Sequence, residues 1–257
     1  MKKLIKENYK YLLFLLIIGI AGGIFTGFYT LEITDPALLE EALAQIGGEA
    51  VFILVTTMQV IFYALIFGIL GKVISGKIGL WREVKFTRDD VVKTSAVGFA
   101  LGGVVMVLDV LLFSGGTEGG AVLKDSLLSA LSLSSIVASF TYGGVVEELM
   151  MRLFLMSLIA LIMWKLLWKK EEVMPTKALV VSNILVALLF AAGHLPATAV
   201  SIDLTPMIVL RCFLFNGGMG LIFGRVYRKL GIHYAMISHI FAHVGMKLLG
   251  LIIALTL

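Results

Sequence analysis

Glu147, Glu148, His194 and His239 lie inside segments otherwise built from Leu, Ile, Val, Ala, Gly and Phe. Ionisable groups at bilayer depth are costly and normally mark a pathway or a reaction site. Two carboxylates and two imidazoles are also the groups that move protons, hold water or bind a divalent metal. Their spacing is informative. In Gly143-Gly144-Val145-Val146-Glu147-Glu148-Leu149-Met150-Met151-Arg152, Glu148 and Arg152 are four apart, the acid-first order that favours a side-chain ion pair on a helix. Pairing offsets much of the desolvation cost of both charges. Glu147 is left without that partner and turns about 100° away around the axis. It is the candidate general base. His194 closes Phe190-Ala191-Ala192-Gly193-His194, and His239 and His243 stand four apart in His239-Ile240-Phe241-Ala242-His243.

The elements that must carry these residues follow from composition. Sixty per cent of the 257 residues are hydrophobic and 15% are charged, and the mean hydropathy is +1.03. A chain this apolar cannot hide its surface from water at this length, so it is an integral membrane protein. The net charge of +4 does not indicate nucleic acid, because the positives are not spread as a face. Apart from Lys124, Arg152, Arg211 and Lys247, the Lys and Arg fall in short clusters at 2–10, 72–93, 165–177 and 225–229. That is the bias expected of cytoplasmic loops. Cys212 stands alone, which excludes an internal disulfide and any Cys/His metal spacing.

Spanning lengths of about 20 residues predict seven crossings near 11–29, 51–71, 95–113, 140–164, 178–195, 206–224 and 233–255. The basic residues before the first crossing resemble a secretory signal, but no small-residue cleavage site follows and the stretch runs at spanning length to Tyr29. It is expected to be a retained helix with a cytoplasmic N-terminus, in the cell membrane. The acidic 30–50 and 114–125 loops then lie outside. Residues 121–140 are apolar enough for an eighth, partial or surface-lying helix. No linker, repeat or low-complexity tract divides residues 1–257, so the expected architecture is one all-α, polytopic bundle of seven to eight transmembrane helices. Gly19, Gly23 and Gly27, and likewise Gly98 and Gly102, recur every four residues and suit close helix packing in lipid. Pro196 and Pro206 are read as span boundaries. His233 reads as an interfacial histidine at a loop edge.

The three segments together are more specific than any one. EExxxR, then FxxxH, then HxxxH, in that order on separate membrane helices, resembles the CPBP family of intramembrane proteases, which includes CAAX-processing endopeptidases and the bacteriocin-processing and Abi proteins. About residues 140–245 carry the resemblance, and residues 1–120 match only as generic membrane helices. The resemblance implies a glutamate-dependent endopeptidase acting on membrane-embedded or membrane-associated peptides or proteins. Glu147 would activate water, His194 would help hold it, His239 and His243 would stabilise the oxyanion, and Glu148 and Arg152 would support the first motif. The site would be reached through a water-filled intramembrane vestibule.

The chain departs from the family at His243, where the last motif usually ends in Asn or Asp. A neutral imidazole still donates one hydrogen bond, so an oxyanion role survives. The change also makes Glu147, His194, His239 and His243 a conceivable ligand set for a divalent metal such as zinc. Metal-independent chemistry is the expectation, with no cofactor. Two other functions fit the same residues: a proton- or metal-coupled transporter that also uses Asp109, or a catalytically idle scaffold or immunity protein. One geometric tension stands. At 1.5 Å per residue, His194 lies nominally about 25 Å from the basic edge of its span and His239 about 15 Å from its own. Extension of the fifth span from Pro175 would bring the two to a common depth.

Overall fold

The computed structural model describes residues 2–113 and 119–257, and among them every regular element is helical. The long helix α1 (Lys2–Ile33) leads through Asp35 into α2 (Pro36–Ile46), and α3 (Glu49–Lys77) follows. An extended segment, 78–87, joins α3 to α4 (Arg88–Phe113). The expected acidic loop is therefore mostly a helix. Asp35 caps it by accepting from the Ala37 and Leu38 amides, Pro36 takes the first turn, and Gly47 ends it at φ 95°. Those are ordinary start and stop signals, all present in the local sequence.

The 121–140 stretch resolves into two pieces. Helix α5 (Gly119–Ser129) ends in a turn, and Ser132 caps α6 (Leu133–Ala138) by accepting from the Ser135 amide. Lys247 secures that turn by donating to the Ala130 carbonyl at 2.6 Å and to Ser135 Oγ at 2.8 Å.

From α6 the chain continues without a break to Leu167, through π-helical turns at Ser139–Glu147 and Leu149–Met156 and then α7 (Ser157–Leu167). This run occupies the expected 140–164 crossing. Wide π turns are rare and collect at functional sites. Here they coincide with EExxxR. After it come α8 (Thr176–Ser201), α9 (Pro206–Cys212), a short π segment (Phe213–Gly217), α10 (Gly218–Leu230) and α11 (Ile232–Thr256). Six helices are long and apolar enough to cross a membrane: 8–33, 49–77, 88–113, 176–199, 206–230 and 232–256. With the 133–167 run they account for the seven expected crossings.

The prolines divide. Pro206 is the first residue of α9, behind the capping hydroxyl of Thr205. Pro196 does not end its helix, since α8 runs through it to Ser201. A proline removes one helical hydrogen bond, and neighbouring side chains at membrane depth can take up freed carbonyls. The N–H that Pro196 lacks would have gone to the Ala192 carbonyl; the Thr198 Oγ1 bond, at 2.9 Å, goes to the His194 carbonyl instead.

Glycines set the helix spacing. A side chain at Gly19 would meet Ile61 Cα at 2.8 Å, one at Gly27 would meet Ile53 Cα at 3.3 Å, and one at Gly23 would overlap Thr57, so α1 and α3 lie antiparallel with backbones in near contact. On α4, Gly98 and Gly102 fit against the Ser238 and Ala242 carbonyls in parallel register. Close approach of this kind replaces the hydrophobic effect as the packing force between helices in lipid. It also fixes the backbone of α11 on both sides of His239.

Candidate active site

Three elements meet: the π-helical run brings Glu147, Glu148 and Arg152, α8 brings His194, and α11 brings His239 and His243. Arg152 Nη1 lies 2.9 Å from Glu148 Oε1, with both side chains almost wholly buried. His239 Nδ1 lies 2.8 Å from the same Glu148 oxygen. A carboxylate only accepts, so the imidazole donates from Nδ1. That contact spans 91 positions in the chain and no local pattern announces it. It turns Nε2 toward Glu147, whose Oε2 is 4.0 Å away.

Aromatic rings hold the arrangement. Phe223 stacks on His239 at 4.4 Å between centroids with 21° between planes, and His243 stacks on it at 5.1 Å and 14°. Phe190 meets His194 edge-on at 4.5 Å, and the Arg152 guanidinium lies over the Phe190 ring at 4.5 Å. Cation–π contact of this kind partly offsets the burial of the charge.

His194 Nδ1 bonds the Phe190 carbonyl at 2.7 Å, so Nδ1 carries the proton and Nε2 is free to accept. His194 and Glu147 share the lining of a cavity of about 120 Å³ with Tyr142, Phe190 and Gly193. A site of that size with Tyr142, Glu147 and His194 in its wall admits several waters. The two histidines with different nominal depths thus flank the same carboxylate. Helix α8 starts at Thr176 directly after Pro175, the extension that this convergence requires.

Tyr142 was not singled out by its spacing. It precedes Glu147 by five residues, a distance that stacks side chains in a π turn but not in an α-helix. Phe223 carries no local signal either. His243 does not line the cavity. Its Nε2 sits over Gly143, 2.8 Å from where a β-carbon would stand, so the absence of a side chain at Gly143 makes room for the imidazole.

Among the described residues no three His, Cys, Asp or Glu side chains converge as metal ligands. Asp109 is also removed from any relay through this site. It receives both Arg211 Nε and Nη2 at 2.5 Å, forming a separate bridge between α4 and α9.

Comparison with protein families agrees with the motif reading. Residues 129–245 match the family model described as type II CAAX prenyl endopeptidase Rce1-like. That stretch of the chain matches the CPBP/CAAX protease family. Neither the curated proteins nor the solved structures gave a match. The Rce1-like match supports a protease of the CAAX type in an integral membrane protein, and the apolar helices fit a membrane-associated substrate.

Proposed function

We propose that the chain is a metal-independent, glutamate-dependent intramembrane endopeptidase in which Glu147 activates water. The observation that carries this reading is the division of labour between adjacent carboxylates: Glu148 is committed to Arg152 and His239, whereas Glu147 faces a water-sized cavity beside His194. Glu147 takes a proton from a water held against His194. The hydroxide oxygen bonds to the scissile carbonyl carbon, and the carbonyl electrons move onto its oxygen. As the C–N bond breaks, Glu147 returns the proton to the leaving nitrogen.

The developing oxyanion needs donors aimed at it. His239 supplies one from Nε2 when both ring nitrogens carry protons, because Nδ1–H is already given to Glu148. With Glu147 holding the proton from water, Glu148, Arg152 and His239 leave one net positive charge, which the oxyanion balances, the condition under which such a set is tolerable away from water. His243 stacks on His239 and is the second donor. The substrates are membrane-embedded or membrane-associated peptides or proteins, and the N-terminus lies in the cytoplasm at the cell membrane, as the basic clusters indicate.

The test is cleavage of a quenched peptide library by the purified protein, with and without a chelator. Cleavage that survives chelation and falls by about 10²–10⁴-fold in Glu147→Ala, with folding intact, is the expected result for loss of a general base. A Glu147→Ala protein that keeps more than about a tenth of parental turnover would remove the assignment.

A further inference from the structure

A second cavity, about 640 Å³, opens between α1, α11, the 78–87 segment and the π-helical run. Its walls are apolar and aromatic, from Tyr11, Phe14, Trp81, Phe86, Leu149 and Ile237. Its rim is basic. Lys10 is exposed there, and Lys72 is held at the mouth by Asn8 at 2.5 Å, with its ammonium 4.9 Å above both the Tyr11 and Trp81 rings. An adjoining polar recess of about 350 Å³ adds Arg82 and Lys85, against the acids Glu83 and Asp90. His233 lines both spaces. At the loop edge, it is 7% exposed. Its Nε2 donates to the Lys85 carbonyl at 3.2 Å, leaving Nδ1 as a buried acceptor without a partner.

We propose that this cleft binds an anionic glycerophospholipid, with acyl chain in the apolar cavity and phosphate at the Lys10, Lys72, Arg82 and Lys85 rim. An apolar interior with a positive mouth matches an amphiphile with one negative end, and basic pockets between membrane helices recognise such headgroups. The occupant is a lipid rather than the tail of a substrate because the two cavities lie on opposite faces of the motif helix. Val145 and Leu149 line this one and Glu147 the other, so residues two apart on the motif helix face opposite ways.

Trp81 reports occupancy in the full-length protein carrying Trp164→Phe and Trp168→Phe. The protein is placed in phosphatidylcholine vesicles and titrated with brominated phosphatidylglycerol. Saturable quenching at low mole fraction is expected, with brominated phosphatidylcholine giving only shallow, unsaturated quenching. Lys10→Gln with Arg82→Gln, both exposed positions, should weaken the apparent affinity by about 30-fold. Ile237→Trp narrows the cavity and, with its own emission subtracted in a Trp81→Phe control, should abolish saturation. Glu147→Ala should bind as the parent does, so the outcome is independent of whether the chain is a protease. Equal quenching by the two lipids, or an unaffected charge variant, overturns the proposal. So does stoichiometric displacement by a prenylated peptide, which would make the cleft a substrate site.

Discussion

Glu148 joins Arg152 and His239 through a single oxygen, Oε1, at 2.9 and 2.8 Å. One residue of the motif helix thereby neutralises a buried guanidinium on its own helix and sets the ring of a histidine on another. Removing one member of a buried pair strands the other charge and costs about 3–5 kcal/mol. Glu148→Ala and Arg152→Ala are therefore expected to lower thermal stability and expression together with activity. Glu147→Ala should leave the melting temperature near that of the parent. Thermal unfolding in detergent alongside peptide cleavage separates the two classes. A Glu148→Ala protein of parental stability would show that this contact does not hold the fold.

Gly143→Ala tests whether His243 belongs to the reaction. A methyl group there displaces the imidazole from Gly143 and disturbs its stack on His239. Alanine is no worse than glycine in a helix by propensity, so stability should hold. The turnover number should fall by about 10²-fold, the scale of one lost oxyanion donor. Unchanged turnover would place His243 outside the chemistry.

His243→Asn decides between the two mechanisms open at that position. An amide donates a hydrogen bond as an imidazole does, so most activity should remain and neither parent nor variant should carry zinc. Stoichiometric zinc in the parent that disappears with activity in the variant would instead identify His243 as a ligand, since an amide is a poor substitute for imidazole.

Orientation is tested by cysteine labelling. Cys212 is buried and can be replaced by serine. In that background Glu41→Cys on α2 should react with an impermeant thiol reagent added to intact cells, whereas Arg88→Cys at the start of α4 should not. Both positions are exposed. The reverse pattern would place the basic clusters outside.

Asp109 and Arg211 offer a control outside the lining of the cavity. Asp109→Ala leaves a partly exposed guanidinium unpaired, so a modest loss of thermal stability with unchanged specific activity is expected. A selective loss of activity would return Asp109 to the functional site.

Local patterns in the chain determined much of this protein. Long apolar runs interrupted by basic clusters have few solutions in a bilayer, because every backbone group must be satisfied within a helix. The i,i+4 spacing of Glu148 and Arg152 and of the glycines in α1 and α4 likewise encodes neighbours one turn apart. The helix-start signal at Asp35-Pro36 was there to read. Pro196 was misleading, because a helix flanked by other helices tolerates a proline that would end one in water.

The tertiary structure decided the rest. Whether α-helical or π turns run through Glu147 depends on packing against α1, α3 and α11, and the observed register brings Tyr142 and Glu147 into the lining of one cavity. His239 bonds Glu148, and Phe223 stacks on His239, across gaps in sequence that no periodicity describes. Spacing identifies partners only within a few turns of a helix, where geometry is fixed by the backbone. Contacts between helices depend on where glycine allows close approach and which ring fills the remaining space, and these are properties of the assembled bundle.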